Sequence, residues 1–538
     1  MINEDTQNLL EVRDLKIEAR IKGQWSEIVH GIDLDLKPGE VLGLIGESGA
    51  GKSTVGLATM GFAKDGCRIS GGSVQFDGQD VLAMRDRARR KLRGSRIAYV
   101  AQSAAAAFNP AHTLMRQYTE NPLRFGLRSR DEAQEDAKTL YAKMQLPNPR
   151  EIGFRYPHQV SGGQLQRAMT AMAMACRPSL IVFDEPTTAL DVTTQVQVLG
   201  TIRNIVREFG TAALYITHDL AVVAQMADRI KVLRHGNEVE EAETQEMLHN
   251  PQQAYTKSLW AVREFRKSVQ LEPITDAVPL AALQNVSAGY GATKVLHDVS
   301  FDIHKRRTVA VVGESGSGKS TVARCLTGLL PPSSGQLVYE GAVLANDYRK
   351  RTGHELRKIQ MIYQMAETAL NPKKRIGQIL GRPTTHYLGL RGTARRERVC
   401  DLLRMIELEP AEYIDRFPAS LSGGQKQRIG IARALAADPE LIICDEVTSA
   451  LDQVVAEGVL KLLDRLKDEL SVSYLFITHN IETVRAIADD VIVMQTGRIV
   501  ESGRVDSVLN TPQQSYTREL LASVPEMDAG WLDKQLRV

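Results

Sequence analysis

No stretch of the sequence approaches the ~20 consecutive apolar residues that span a bilayer as a helix, so the chain is not expected to cross a membrane by itself. An excess of one charge sign is also missing. The 67 basic residues face 65 acidic ones, a net charge of +2, which gives no bulk electrostatic case for a nucleic-acid partner. Cysteine is scarce: Cys67, Cys176, Cys325, Cys400 and Cys444 are scattered and form no C-x-x-C pair. That spacing argues against a zinc or iron–sulfur site and predicts reduced thiols. The opening Met-Ile-Asn-Glu-Asp is acidic and lacks the basic and apolar regions of a signal peptide. What is present is ordinary globular material, 43% hydrophobic and 25% charged. The 538 residues suggest three or four folding units, at roughly 150 residues each.

The chain is a duplication. Lys52 and Lys319 are 267 residues apart and Gln102 and Gln364 are 262 apart. Ser161 and Ser422, Glu185 and Glu446, and His218 and His479 are each 261 apart. Solenoid repeats run only ~20–50 residues, so this period marks a repeated domain. Ala261–Leu280, with two prolines and mixed charge, reads as a linker between domains at 1–260 and 281–538. In each half, short apolar runs end on chemistry: Val41–Ile45 and Val309–Val312 on a glycine-rich loop, Leu180–Phe183 and Leu441–Cys444 on two acids, Leu214–Thr217 and Leu475–Thr478 on a histidine. Helical periodicity fills the intervals, as at Val196–Phe209 and Leu460–Leu470. The expected class is therefore α/β, with a mostly parallel sheet and ligands at the carboxyl ends of its strands.

Gly46-Glu-Ser-Gly-Ala-Gly-Lys-Ser53 and Gly313-Glu-Ser-Gly-Ser-Gly-Lys-Ser320 both fit G-x-x-x-x-G-K-[ST]. Such loops wrap a polyphosphate with backbone N–H groups and a helix N-terminus. Candidate phosphate contacts are Gly46, Ser48, Gly49, Gly51, Lys52, Ser53 and Thr54, and Gly313, Ser315, Gly316, Gly318, Lys319, Ser320 and Thr321. Ser53 and Ser320 suit Mg²⁺. Asp184 and Asp445 suit direct or indirect contact to the same ion, and Glu185 and Glu446 suit polarising an attacking water. Gln102 and Gln364 are candidate ligands of Mg²⁺ or of that water, and His218 and His479 are candidates for holding a γ-phosphate. Ser161-Gly-Gly-Gln164 and Ser422-Gly-Gly-Gln425 each precede a helical segment. They place a serine and bare amides where an anion is favoured, or they are plain helix caps.

In this order the motifs resemble the ATP-binding cassette ATPases over nearly the whole chain, twice. The resemblance implies two P-loop NTPase (RecA-like) cassettes, each with a helical subdomain, facing head-to-tail around two ATP molecules with Mg²⁺. One site would combine Lys52, Ser53, Gln102, Asp184, Glu185 and His218 with Ser422 and Gly424; the other would combine Lys319, Ser320, Gln364, Asp445, Glu446 and His479 with Ser161 and Gly163. Asp191 and Asp452 would lie between them. The family's adenine-stacking aromatic is matched by Tyr290 in the second half, whereas Ala19 takes the aligned place in the first and Trp25 is a weak substitute. Val447 stands where Pro186 stands in the first half, Met365 follows Gln364 where an aspartate is common, and Lys305-Arg-Arg307 replaces the turn present as Pro38-Gly-Glu40.

Phe108-Asn-Pro110 and Leu370-Asn-Pro372 follow the glutamines, and Asn250-Pro-Gln-Gln-Ala-Tyr-Thr and Thr511-Pro-Gln-Gln-Ser-Tyr-Thr close the halves. Both resemble the dipeptide, oligopeptide and nickel importer class, which includes fused glutathione and small-peptide systems. The resemblance implies an ATPase on the cytoplasmic face of the inner membrane, working with two permease subunits and a solute-binding protein. The helical stretches Ser103–Val160 and Met365–Leu421 would receive the permeases. The alternative is a soluble twin-cassette ATPase acting on the ribosome, against which the short linker counts.

Overall fold

The computed structural model describes residues 8–21, 23–187, 190–261, 278–449 and 451–536. It separates into two compact units: Met1–Ala261 together with Pro525–Val538, and Val262–Val524. The expected linker falls mostly at 262–277, outside the described residues. Leu280 is already part of the second unit's core.

In the first unit a six-stranded sheet runs in the order Asn237–Glu243, Arg229–Arg234, Val41–Ile45, Ala212–Ile216, Leu180–Asp184, Ile97–Val100. Its last five strands are parallel, and only the Asn237–Glu243 edge is antiparallel. Val41–Ile45, Leu180–Asp184 and Ala212–Ile216 are buried at every residue, as strands covered on both faces must be. A second, antiparallel sheet pairs Leu10–Ile21 with Gln24–Leu36 and with Cys67–Phe76. These strands carry the alternation of apolar and charged residues that marks half-buried strands, broken in Leu10–Ile21 by a bulge at Arg13-Asp14. The helical stretch expected between glutamine and signature contains Leu114–Arg124 and Arg130–Lys143. Phe108 is buried in that core, and Asn109 accepts the Ala111 amide, closing a turn. The second unit repeats the plan, its sheet running Ile359–Ile362, Leu441–Asp445, Ser473–Ile477, Thr308–Val312, Asp490–Gln495, Arg498–Arg504.

The order of strands positions the site. In each unit the phosphate loop, the histidine, the acidic pair and the glutamine leave the carboxyl ends of four adjacent parallel strands. Such a row of strand ends is where open α/β sheets bind ligands.

One boundary differs from the expectation. The chain's last described helix, Trp531–Leu536, belongs to the first unit, so the compact second unit ends at Val524 rather than Val538. Burial drives this. Trp531 and Leu532 complete the core beside Met226 and Ile202. Gln225 Nε2 donates to the carbonyls of Glu526 (2.9 Å) and Asp528 (2.8 Å), and its Oε1 accepts the Leu532 amide at 3.0 Å. Arg203 pairs with Asp533.

Candidate active site: two phosphate loops

The loop between Val41–Ile45 and the helix Lys52–Ala58 is shaped by its glycines. Gly46 has φ 148°, and a side chain there would run into the carbonyl of Leu233. Gly49, at φ 85°, has no atom within 4 Å of where a Cβ would stand. The turn therefore presents bare backbone, which fits a polyphosphate. Gly313 and Gly316 repeat this at φ 147° and 84°. Lys52 is 6% exposed, and its ammonium donates to the carbonyls of Gly46 (2.6 Å) and Glu47 (2.9 Å). Lys319 does the same with Gly313 (2.8 Å) and Glu314 (2.7 Å). Ser48, Thr54, Ser315 and Thr321 stand on the same loops and the helices they open.

Ser53 Oγ donates to Asp184 Oδ1 at 2.7 Å, and Ser320 Oγ to Asp445 Oδ1 at 3.0 Å. This hydroxyl–carboxylate set matches the hard oxygen donors that Mg²⁺ takes. Glu185 and Glu446 adopt left-handed backbone at φ 49° and 50°, their amides donating to Ile216 and Ile477 at 2.9 Å in both units. For a residue with a side chain this conformation costs about 1–3 kcal/mol, and such strain gathers at functional sites. Each carboxylate is gripped from two sides. Gln102 Nε2 donates to Glu185 at 3.0 Å and His218 Nδ1 lies 3.1 Å away. Gln364 donates to Glu446 at 2.6 Å and His479 lies at 3.3 Å. Each unit thus brings its own lysine, serine, aspartate, glutamate, glutamine and histidine together.

Burial works to lower the His218 pKa, but the hydrogen bond and charge of Glu185, with Asp219, outweigh it and raise it. Burial likewise works to raise the Glu446 carboxyl, yet the His479 bond and the nearby Lys319 pull it below its ordinary value. Burial holds the Asp445 carboxyl above its usual range, against the pull of Ser320 and with help from the Glu446 charge. The first unit has a partner that the second lacks. Tyr99 donates to Asp184 Oδ2 at 2.6 Å, while Met361 stands at the matching strand position. Sequence reasoning missed Tyr99, because its partner lies 85 positions away on a neighbouring strand.

Ser161 and Ser422 cap the helices Gly162–Ala173 and Gly423–Leu435, each in a reciprocal capping box with Gln164 or Gln425. Gly163 and Gly424 let those helices approach Thr194 and Val455, which a Cβ would strike. Asp191 and Asp452 cap the helices Val192–Phe209 and Gln453–Leu470. Tyr290 ends its strand exposed, its hydroxyl accepting from Arg324 at 2.8 Å. Ala19 pairs with Ser26 in the corresponding hairpin, and Trp25 lies one pair further out under the guanidinium of Arg68.

The family model described as "ABC transporter" matches residues 29–188 and 296–449, and one described as "Oligopeptide/dipeptide transporter, C-terminal region" matches 500–537. The glutathione import ATP-binding protein GsiA of Salmonella choleraesuis (strain SC-B67) is 35% identical over 571 residues, covering 97% of this chain and 90% of that protein. Its namesake in Escherichia coli O157:H7 is 35% identical over 566 residues, with the same coverage. Among solved structures, cbiO1 from Clostridium perfringens, part of the ABC transporter complex cbiONQ, aligns with TM-score 0.40 and 28% identity, covering 43% of this chain and 91% of that one.

Proposed function

Because this chain belongs to the ABC transporter family, carrying its ATPase domain twice, we propose that it binds and hydrolyses ATP to energise the import of peptides or related small solutes, glutathione among them. The observation that carries the reading is one chain with two matched sets of phosphate-loop, acidic and histidine residues, ending in a match to the oligopeptide/dipeptide transporter C-terminal region. The ribosomal alternative has no comparable support.

Phosphoryl transfer to water asks the protein mainly for positioning and charge. Loop amides with Lys52 or Lys319 bind the polyphosphate. Ser53, Asp184 and Gln102, and Ser320, Asp445 and Gln364, would hold Mg²⁺, which when bound would neutralise phosphate charge. Glu185 and Glu446 accept the proton of the attacking water, and their double tethers fix where the carboxylate points. His218 and His479 orient the glutamate and hold the γ-phosphate. Tyr290 stacks on adenine in the second half. Ser161 with Gly163, and Ser422 with Gly424, shape the N-termini of the helices that they open, where a phosphate is favoured.

No helix among the described residues is long and apolar enough to cross a membrane. The permeation path belongs to two membrane permeases, with a solute-binding protein delivering cargo and this chain peripheral at the cytoplasmic face. Co-expressed with such a permease pair, the chain co-purifies in detergent and its hydrolysis rises when loaded binding protein is added. Sedimentation with ribosomes and indifference to any permease pair would overturn the reading.

A further inference from the structure

The two late motifs, Asn250-Pro-Gln-Gln-Ala-Tyr-Thr and Thr511-Pro-Gln-Gln-Ser-Tyr-Thr, lie some 200 residues from the phosphate loops of their halves. Both return to those loops in the fold. The amides of Gln252 and Gln253 donate to the two oxygens of Glu240 at 2.6 and 3.0 Å, pinning the turn to the edge strand Asn237–Glu243. The amides of Gln513 and Gln514 donate to Glu501 at 2.8 and 3.2 Å in the same way. Two residues further on, Tyr255 accepts the Glu47 amide at 3.4 Å, and Tyr516 accepts the Glu314 amide at 3.1 Å.

These amides belong to a particular peptide. The carbonyl of the Gly46–Glu47 unit accepts the Lys52 ammonium, while its N–H donates to Tyr255. The Gly313–Glu314 unit is held between Lys319 and Tyr516 in the same way. A planar peptide gripped at C=O and N–H cannot rotate without breaking one of the two bonds. It is also the peptide at which the chain turns, at φ 148° and 147°, out of the buried strand into the loop. The halves differ around the contact, since Arg234 lies over the Tyr255 ring while Gln495 stands at the matching strand position. The hydroxyl-to-amide bond is present in both.

We propose that Tyr255 and Tyr516 are positioning residues for ATP, each clamping the first peptide of its phosphate loop and so setting how the loop and its lysine meet the polyphosphate. The proposal rests on reading the Lys52 and Lys319 loops as the ATP sites. It accounts for the Pro-Gln-Gln-x-Tyr-Thr stretch, whose glutamine amides fix the turn on a carboxylate while the turn aims the phenol. Burial, followed by the charge of Glu47, pushes the Tyr255 hydroxyl up to about 12, so it remains neutral at working pH.

Tyr255→Phe removes one oxygen and keeps the ring. The test uses the full chain with Lys319→Ala, so that a fluorescent ATP analogue reports on the first loop, and the mirror pair Tyr516→Phe with Lys52→Ala. The expected result is affinity weakened about 2- to 10-fold, the range of one neutral hydrogen bond, with the melting temperature lowered by about 1–6 °C. In the otherwise unaltered chain, KM for ATP rises by a similar factor while kcat stays within twofold. Glu240→Gln, which leaves one oxygen for two amides, shifts affinity in the same direction. Unchanged affinity and KM overturn the clamp, as does an equal loss of affinity in Ile202→Val, a core change of similar cost far along the chain from the loop. If the chain with both lysines intact binds no ATP analogue, the reading of the loops themselves fails instead.

Discussion

Replacing Tyr99 with phenylalanine separates the two halves in a way that can be measured. The Tyr99 hydroxyl donates to Asp184 Oδ2 at 2.6 Å, while Ser53 holds Oδ1 at 2.7 Å. Asp184 is 6% exposed, so its carboxylate has little water to turn to when one donor is removed. A hydrogen bond to an ionised acceptor contributes about 1.5–3 kcal/mol net. Tyr99 is only partly buried, which favours the lower end. For a unit of this size each kcal/mol moves Tm by about 2–4 °C, so Tyr99→Phe lowers the melting of the first unit by about 3–6 °C. The second unit supplies the internal control, since Met361 occupies that strand position and Asp445 is held by Ser320. Met361→Tyr therefore adds a donor for Asp445 and pulls its raised pKa back down. The functional readout is the Mg²⁺ concentration needed for half-maximal hydrolysis. With the second site disabled, Tyr99→Phe raises it, by up to ~10-fold if 1.4 kcal/mol of carboxylate positioning is lost. A Tm within 1 °C of the parent together with an unchanged Mg²⁺ requirement would refute the idea that Tyr99 steadies Asp184.

Changing Glu185 and Glu446 together to glutamine lowers phosphate release by about 10²–10⁴-fold, the usual contribution of a positioned acid–base group; ATP retained on the double variant with turnover within threefold of the parent would exclude both as the base. His218 and Glu446 predict opposite pH trends. The His218 contribution is full below its ordinary value of 6.5 and is lost as pH rises through the raised folded value. The Glu446 contribution is present above 4.5 and is lost as pH falls through the lowered folded value. Denaturant titrations between pH 4 and 9 should show His218→Gln flattening the alkaline limb alone. Tyr290→Ala weakens ATP binding at the second loop, with ~1–3 kcal/mol as the scale of a stacked base, while Trp25→Ala leaves the first loop within twofold in the same nucleotide titration.

What could be read from the sequence was whatever is contiguous. The phosphate loops follow apolar strands whose observed ends match the apolar runs to within two residues, because full burial on both faces makes such strands uniformly apolar. Asp184-Glu185 and Asp445-Glu446 were legible for the same reason, each being a pair of charges ending an uncharged run. Tyr99 was not legible: a tyrosine in Ile97–Val100 finds Asp184 only once the register of two parallel strands is known. Tyr255 and Tyr516 were hidden differently. Their partners are backbone amides, which have no residue-type signature, so the repeated motif signalled a role without naming it. The antiparallel hairpins were harder to read because a bulge at Arg13-Asp14, repeated at Gln284-Asn285, breaks their alternation of apolar and charged residues.

The return of Trp531–Leu536 to the first unit gives the molecule an unusual order of completion on the ribosome. Domains generally fold as they emerge, with synthesis adding ~5–20 residues per second. Once Ala261 is made, the ribosome must synthesise the whole of the second unit before Trp531 appears, a delay of about 14–54 s at those rates. Throughout that interval the nascent first cassette waits for the two side chains that finish its core, Trp531 and Leu532, and Gln225 waits for the backbone that it binds. The earliest part of the protein to be born is thus the last to be finished, and a messenger truncated after the first half yields a cassette missing part of its own interior.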